Sequence, residues 1–209
     1  MSQAPILDLA TLVVHVTITS ADGPRVLVGV DGPGASGKST LAELLAEVVP
    51  LAHVVHVDDF YLPSAQHGTR SGLVGPLFDL PRLAAQVVTP AATGGSVRYQ
   101  RYDWTDDQLA EWVEVPQGAP VIVEGVYCLE SALRDSYTFT VFCRADRALR
   151  LRRGFERDGE QARSQWLDEW MPAEDDYAAR QRPEEFADLV LDSTVVDGQP
   201  QFLIVRSLA

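Results

Sequence analysis

Lysine is nearly absent from this chain. Of its 17 basic residues, 16 are arginine and only Lys38 is lysine. The 30 acidic residues bring the formal net charge to −13, which argues against non-specific binding to nucleic acid or to an anionic membrane, because both are negatively charged. An anionic ligand would therefore need a locally basic site. A genome-wide codon bias would explain most of the arginine use, but the single remaining lysine requires a reason of its own.

Cysteine and long apolar runs are also scarce. Cys128 and Cys143 stand alone, without a C-x-x-C pair or a histidine at metal-ligand spacing, which argues against a zinc site and against a disulfide framework. The longest apolar runs are far shorter than a membrane span, and the N-terminus lacks the positive start of a signal peptide. We therefore expect a cytoplasmic protein that has no membrane partner.

Short apolar segments alternate with segments of helical periodicity. Strands are predicted at residues 26–30, 53–57, 121–125, 139–143 and 187–191, with a sixth at 202–205, and the main helices at 39–49, 79–88 and 146–163. Residues 6–16 combine helical spacing with many β-branched side chains, and we predict a helix there. The alternation predicts one three-layer α/β/α domain over residues 1–209, with a parallel sheet of about five strands.

The segment GPGASGKS, Gly32 to Ser39, matches G-x-x-x-x-G-K-[ST] at every fixed position and lies between an apolar strand and an amphipathic helix. Backbone N–H groups of such a loop, together with the helix N-terminus, bind phosphates. The motif predicts that Lys38 contacts the β and γ phosphates of ATP and that Ser39 is a ligand of Mg²⁺. The nucleotide-binding residues are predicted to be Gly32, Gly34, Ala35, Ser36, Gly37, Lys38, Ser39 and Thr40. The alternative is a glycine-rich turn that binds nothing.

Two acidic residues follow predicted strands. Asp58 ends the second strand, and Glu124 follows the apolar run Val121-Ile122-Val123. Open α/β sheets bind their ligands at the carboxyl ends of the strands. Asp58 is therefore predicted to accept a proton from an attacking hydroxyl or to hold a magnesium-bound water, and Glu124 to lie at the magnesium site. The alternative for each is an ordinary strand-end carboxylate.

Arginines are concentrated between residues 144 and 163. Arg150, Arg153 and Arg157 share one face of the predicted helix, and this row predicts a lid at roughly residues 150–170 that closes over a triphosphate. We expect Arg150 to contact the nucleotide, Arg153 and Arg157 to stabilise the transferring phosphoryl group, and Arg163 to face the substrate. The alternative is a solvated helix whose arginines pair with neighbouring acids.

Aromatic residues beside acids could form a site for a planar acceptor. Phe78, Tyr99, Tyr102 and Trp104 are candidates for stacking, and Asp79 and Asp103 for hydrogen bonds to hydroxyls. The alternative is that these aromatic residues belong to the core.

In this order, the motifs resemble the uridine kinase and phosphoribulokinase-like family of P-loop kinases, over about residues 26–192. Asp58-Asp59-Phe60-Tyr61 resembles the D-x-F-Y motif of that family, and Arg150 to Asp158 resembles its R-L-x-R-x-x-x-R-D lid. The resemblance implies that Asp58 is the catalytic base and that Tyr61 approaches the acceptor. It also implies that Phe78-Asp79 binds ribose hydroxyls and that Tyr102-Asp103-Trp104 lies beside a nucleoside base. The implied reaction is transfer of the γ-phosphoryl group of MgATP to a hydroxyl of a small molecule, in the first place a nucleoside.

One element of the family pattern is missing. Where uridine kinases have a base-contacting histidine shortly after Y-D-F, this chain has Thr105-Asp106-Asp107. Related kinases phosphorylate nicotinamide riboside, pantothenate or sugars, and these stay open as acceptors. A non-catalytic ATP-binding regulatory protein is the alternative from another class. The expected partners are ATP, Mg²⁺ and a small-molecule acceptor, without nucleic acid, and a homo-oligomer is left open.

Overall fold

The computed structural model describes Ile6, Asp8, Leu12 and residues 25–68, 72–196 and 199–207. The helix predicted at residues 6–16 lies mostly outside these described residues. The strands are β1 (Leu27–Asp31), β2 (His53–His56), β3 (Val97–Asp103), β4 (Gln108–Val115), β5 (Val121–Glu124), β6 (Phe139–Arg144), β7 (Leu189–Val196) and β8 (Gln199–Ser207).

The α-helices are α1 (Lys38–Val48), α2 (Leu80–Leu83), α3 (Thr89–Ala92), α4 (Arg147–Asp158), α5 (Met171–Gln181) and α6 (Pro183–Phe186). A π-helical turn at Ala84–Val88 joins α2 to α3, and a second one at Gln165–Trp170 leads into α5. Helix α4 is shorter than the helix predicted at residues 146–163. Asp146 caps its first turn by accepting from two backbone N–H groups, and the chain leaves the helix at Gly159, where φ is +81°.

The main sheet has six strands in the order β2-β5-β1-β6-β7-β8. The pairs from β2 to β7 are all parallel, and β8 pairs with β7 in the antiparallel sense. The predicted parallel sheet is thus confirmed, with β8 as an added edge strand. Strand β1 lies between β5 and β6, so the loop that follows it lies at the centre of the edge formed by the carboxyl ends of the parallel strands.

Alternate residues of the strands face two hydrophobic cores. Val28 and Val30 pack on one face with Leu41 of α1, whereas Leu27 faces the other side, in the same core as Leu83. Because both faces of the sheet are covered by helices, the three-layer prediction is confirmed. Among the described residues, no helix combines the length and the apolar character that a membrane crossing requires.

A second, two-stranded antiparallel sheet of β3 and β4 was not predicted. Its pairing register shifts between Gln100 and Tyr102. Tyr99 anchors this hairpin to the rest of the domain, because its ring stacks on that of Phe60 with 5.6 Å between the ring centroids. The hairpin therefore carries Tyr102 and Trp104 to the carboxyl edge of the main sheet.

Candidate active site

The loop between β1 and α1 requires glycine at two positions. Gly32 has a φ of +149°, and a Cβ there would lie 2.1 Å from the carbonyl oxygen of Cys143. Gly37 has a φ of +92°, and a Cβ there would lie 2.8 Å from Oγ of Ser193. The motif glycines thus let the loop pack directly on β6 and β7.

Asp31 holds the start of this loop from below. Its buried carboxylate accepts hydrogen bonds from the Gly32 N–H (2.5 Å), the Leu129 N–H (2.8 Å) and the Tyr177 hydroxyl (2.7 Å). Burial raises the pKa of Asp31, although these hydrogen bonds oppose the shift. The sequence analysis missed this residue, because two of its partners are about a hundred or more positions away in the chain.

A buried ion pair holds the middle of the loop. Glu174 of α5 accepts from the Gly34 N–H at 2.7 Å and is paired with the Arg150 guanidinium. Arg150 also donates through Nε to the Gly34 carbonyl oxygen at 2.9 Å. The guanidinium expected to reach the nucleotide is therefore engaged beneath the loop, and we interpret Arg150 as a residue that positions it.

Trp166 closes the underside of the loop. The side chain is 1% exposed, and its indole N–H donates to Asp158 at 2.9 Å. A Cβ on Gly154 would lie 2.5 Å from the indole ring, and a Cβ on Gly34 would lie 2.9 Å from it. Sequence reasoning missed this tryptophan, although Trp166 and Trp170, four positions apart in a polar segment, were an available signal.

Ser39 and Glu124 lie together at the start of α1. The Ser39 hydroxyl donates to Oε2 of Glu124 at 3.1 Å, and Nδ1 of His56 lies 2.6 Å from Oε1. Burial alone would raise the pKa of Glu124, but the hydrogen bond to His56 and the charge of Lys38 outweigh it and keep that pKa low. The same hydrogen bond raises the pKa of His56. The sequence analysis missed this contact of His56.

Asp58 lies on the 3₁₀ turn after β2 and lines a cavity. Its side chain is reached by solvent but enclosed by protein, and this desolvation raises its pKa, while Lys38 opposes the shift. The neighbouring Asp59 is buried and pairs with Nε of Arg101 at 2.9 Å. Of the two adjacent acids, Asp58 lines the aromatic cavity described below, whereas Asp59 has a structural contact.

Two cavities meet at Lys38. The first, which we call the loop-side cavity, has a volume of about 340 Å³ and is lined by Ala35, Gly37, Lys38, Ser39, Thr40, Arg153, Arg157, Ser193 and Phe202. The second, which we call the aromatic cavity, has a volume of about 320 Å³. Its walls include Asp58, Tyr61, Phe78, Trp104, Tyr127, Trp166 and Trp170. Lys38 and Arg157 line both cavities, so each cavity opens towards the same pair of cations.

The aromatic cavity holds only part of the predicted acceptor set. Tyr61 lies 4.5 Å from Trp104 and 5.2 Å from Phe78, measured between ring centroids. Tyr102 is buried behind this wall, where its hydroxyl donates to Asp107 at 2.6 Å. Asp79 accepts from the Arg82 N–H at the start of α2 and forms an ion pair with that side chain. These last two residues support the wall of the cavity rather than line it.

The arginine row divides by position. Arg153 lines the loop-side cavity and donates to the Ala35 carbonyl oxygen (3.3 Å) and to Oγ of Ser193 (2.8 Å). Arg157 lines both cavities and pairs with Asp158 at 2.7 Å. Arg163 is exposed outside both cavities, paired with Glu160 and stacked over Phe155. The substrate contact expected of Arg163 therefore has no support in this arrangement.

The chain was compared with known proteins. No family model matches it. It is 27% identical over 147 residues to inorganic pyrophosphatase TTM2 of Arabidopsis thaliana, a match covering 65% of this chain and 21% of that protein. It is 42% identical over 48 residues to nicotinamide riboside kinase of Schizosaccharomyces pombe, a match covering 23% of this chain and 21% of that protein. The chain thus spans about a fifth of the length of the curated relatives that it matches.

Solved structures match most of the chain. A Bacillus stearothermophilus protein described as a possible uridine kinase has a TM-score of 0.65 at 22% identity, over 87% of this chain and 96% of that one. A protein of Silicibacter sp. TM1040 assigned as a fructose transport system kinase has a TM-score of 0.57 at 25% identity, over 87% of this chain and 95% of that one. D-glycerate 3-kinase of Cryptococcus neoformans has a TM-score of 0.56 at 16% identity, over 85% of this chain and 87% of that one. The chain therefore has the fold of the uridine kinase and phosphoribulokinase-like P-loop kinases.

Proposed function

We propose that this protein is a kinase that transfers the γ-phosphoryl group of MgATP to a hydroxyl of a small molecule, most specifically a nucleoside. The observation that carries the proposal is the meeting of the two cavities at Lys38 and Arg157. A donor phosphate chain in the loop-side cavity and an acceptor in the aromatic cavity would then face each other across two cations. Phosphoryl transfer depends mostly on such positioning and on charge stabilisation.

The residues around the loop fit a bound nucleotide. Oγ of Ser36 is fully buried and has no hydrogen-bond partner among the described residues, and such a group calls for a ligand or a water. Ser39 and Glu124 together offer the hard oxygen atoms that Mg²⁺ prefers. When bound there, Mg²⁺ would supply positive charge next to the phosphates.

Asp58 is the group we assign to proton transfer. In the proposed step an acceptor hydroxyl oxygen forms a bond to the γ phosphorus, the bond from that phosphorus to the β,γ-bridging oxygen breaks, and ADP leaves. The hydroxyl proton passes to the Asp58 carboxylate. The raised pKa of Asp58 brings it nearer to the operating pH, which favours a general base.

The aromatic cavity supports a nucleoside as the acceptor. Tyr61 is in ring contact with both Phe78 and Trp104, and these three rings line the cavity together with Trp170. Aromatic side chains favour offset or edge contacts with another ring, as a planar base would make.

The test is a turnover assay. The purified chain with MgATP is given nucleosides, nicotinamide riboside, pantothenate and sugars one at a time, and products are identified by mass spectrometry. We expect ADP formation that depends on a nucleoside and a product heavier by one phosphoryl group. Products from sugars alone would overturn the nucleoside assignment, and ATP binding without any product would indicate a regulatory protein. Release of inorganic phosphate from ATP with every acceptor unchanged would contradict the kinase.

A further inference from the structure

Aromatic side chains from different segments of the chain line the aromatic cavity. Tyr61 comes from the turn after β2, and Trp104 from the β3–β4 hairpin. Trp166 and Trp170 come from the π-helical turn, and their ring centroids are 5.2 Å apart. Six aromatic residues line the cavity within the described part of the chain, of which Tyr127 and Trp166 are buried: Tyr61, Phe78, Trp104, Tyr127, Trp166 and Trp170. Faces of tryptophan and tyrosine attract cations, and cages of such rings recognise quaternary ammonium groups.

The charges that line the same cavity are unequal. Its acidic side chains are Asp58, Glu169 and Glu174, and its basic side chains among the described residues are Lys38 and Arg157. Both basic residues also line the loop-side cavity, where donor phosphates would engage them. Once donor phosphates engage Lys38 and Arg157, the described residues that line the aromatic cavity offer an acceptor carboxylates and no free cation.

Glu169 is the carboxylate left over. Glu174 is paired with Arg150 beneath the loop, and Asp58 is assigned to proton transfer. Glu169 is exposed towards the cavity and has no hydrogen-bond or ion-pair partner among the described residues. It lies close enough to Tyr61 for its charge to raise the pKa of that phenol, after the larger effect of burial.

The local backbone explains why Glu169 faces the cavity. Residues Gln165–Trp170 form a π-helical turn, which is wider than an α-helical turn and is frequently found at functional sites. It directs Gln165, Trp166, Glu169 and Trp170 to the same cavity. A carboxylate and two indoles therefore come from one short segment.

Resting on the proposed function, we propose that the aromatic cavity selects an acceptor with a cationic planar ring, such as a pyridinium riboside, over neutral and anionic analogues. The ring lies among the faces of Tyr61, Trp104 and Trp170, and Glu169 supplies the opposite charge. An anionic acceptor is repelled by Glu169 and Asp58, because Lys38 and Arg157 are already engaged by the donor phosphates.

The experiment uses three ribosides of matched shape. Nicotinamide riboside carries a cationic ring, the benzamide C-riboside is its uncharged isostere, and the 3-carboxyphenyl C-riboside is anionic. We expect kcat/KM to fall by about fivefold or more from the first to the second, since a cation–π contact has that magnitude, and to fall further for the third. Binding of each compound is measured separately by quenching of tryptophan fluorescence, which requires no turnover.

The matched variants are Glu169→Gln and Asp168→Asn, which remove the same charge from adjacent residues, of which only Glu169 lines the cavity. Glu169→Gln should lower kcat/KM for the cationic riboside by about threefold or more, with less than a twofold change for the uncharged one, and Asp168→Asn should change neither. Equal losses for both ribosides, or a preference of the wild type for the uncharged or anionic compound, would overturn the inference. Selective binding of the cation without phosphorylation would instead remove the proposed kinase activity while leaving the charge selectivity standing.

Discussion

Removing Arg150 tests whether the buried ion pair fixes the phosphate loop. The side chains of Arg150 and Glu174 are 7% and 8% exposed, and both contact Gly34. In Arg150→Met, Glu174 would keep its buried charge without its partner. Loss of one member of a buried pair costs about 3–5 kcal/mol, which for a chain of this size corresponds to a fall in Tm of about 10 °C.

The loss should depend on pH in a defined direction. Burial raises the pKa of Glu174, and the positive charge of Arg150 opposes that shift. The pKa of Glu174 should therefore rise further in Arg150→Met. A carboxyl whose folded pKa lies above its unfolded value binds more protons when folded, so the free energy of unfolding falls as the pH rises between the two values. Arg150→Met should therefore be least destabilised below the unfolded pKa of glutamate and most destabilised above the folded pKa.

Urea unfolding from pH 4 to pH 8 measures this. Arg147→Met is the matched control, because Arg147 on the same helix pairs with Asp175 at 2.9 Å on the surface, where such pairs contribute about 0–1 kcal/mol. The double variant Arg150→Met with Glu174→Gln should recover most of the loss at neutral pH. If Arg150→Met lowers the free energy of unfolding by less than about 1 kcal/mol, or if the double variant is no more stable than the single one, the buried ion pair does not fix the phosphate loop.

Three further changes test the site. Lys38→Ala should leave the Tm close to that of the wild type but lower turnover by about a hundredfold or more, as removal of one key electrostatic group does; wild-type turnover would remove the loop assignment. Asp58→Asn should lower kcat with the acceptor while the Kd for ATP, measured by calorimetry, is unchanged, and unchanged kcat would make Asp58 a structural acid. Glu124→Gln should raise the Mg²⁺ concentration needed for half-maximal turnover, and an unchanged requirement would place the metal elsewhere.

The sequence predicted those parts of the fold whose signal is local. Strand β1, the loop at Gly32 to Ser39 and helix α1 lie where the motif and the apolar pattern put them. The β3–β4 hairpin was missed because a register shift between Gln100 and Tyr102 interrupts the alternation by which a half-buried strand is recognised.

The predicted site was incomplete for a different reason. Tyr177 contacts Asp31 and Glu174 contacts Gly34 from α5, 140 or more positions along the chain, and no pattern in a single sequence pairs such distant residues. Glu169 and Trp170 follow Gln165 and Trp166 at helical spacing, but no local pattern indicates that this face of the segment lines a cavity. Arg150 was assigned to the nucleotide because its buried partner Glu174 was not visible in the local pattern.

A phosphoryl group that passes from the loop-side cavity to an acceptor in the aromatic cavity takes its three terminal oxygen atoms with it. ATP with a fully ¹⁸O-labelled γ-phosphate is incubated with the protein, Mg²⁺ and a nucleoside, and the products are identified by mass spectrometry. We expect a nucleoside monophosphate that carries three labelled oxygens, with its bridging oxygen unlabelled. Label found only in inorganic phosphate, with the nucleoside unchanged, would show that the protein does not transfer the group to the nucleoside.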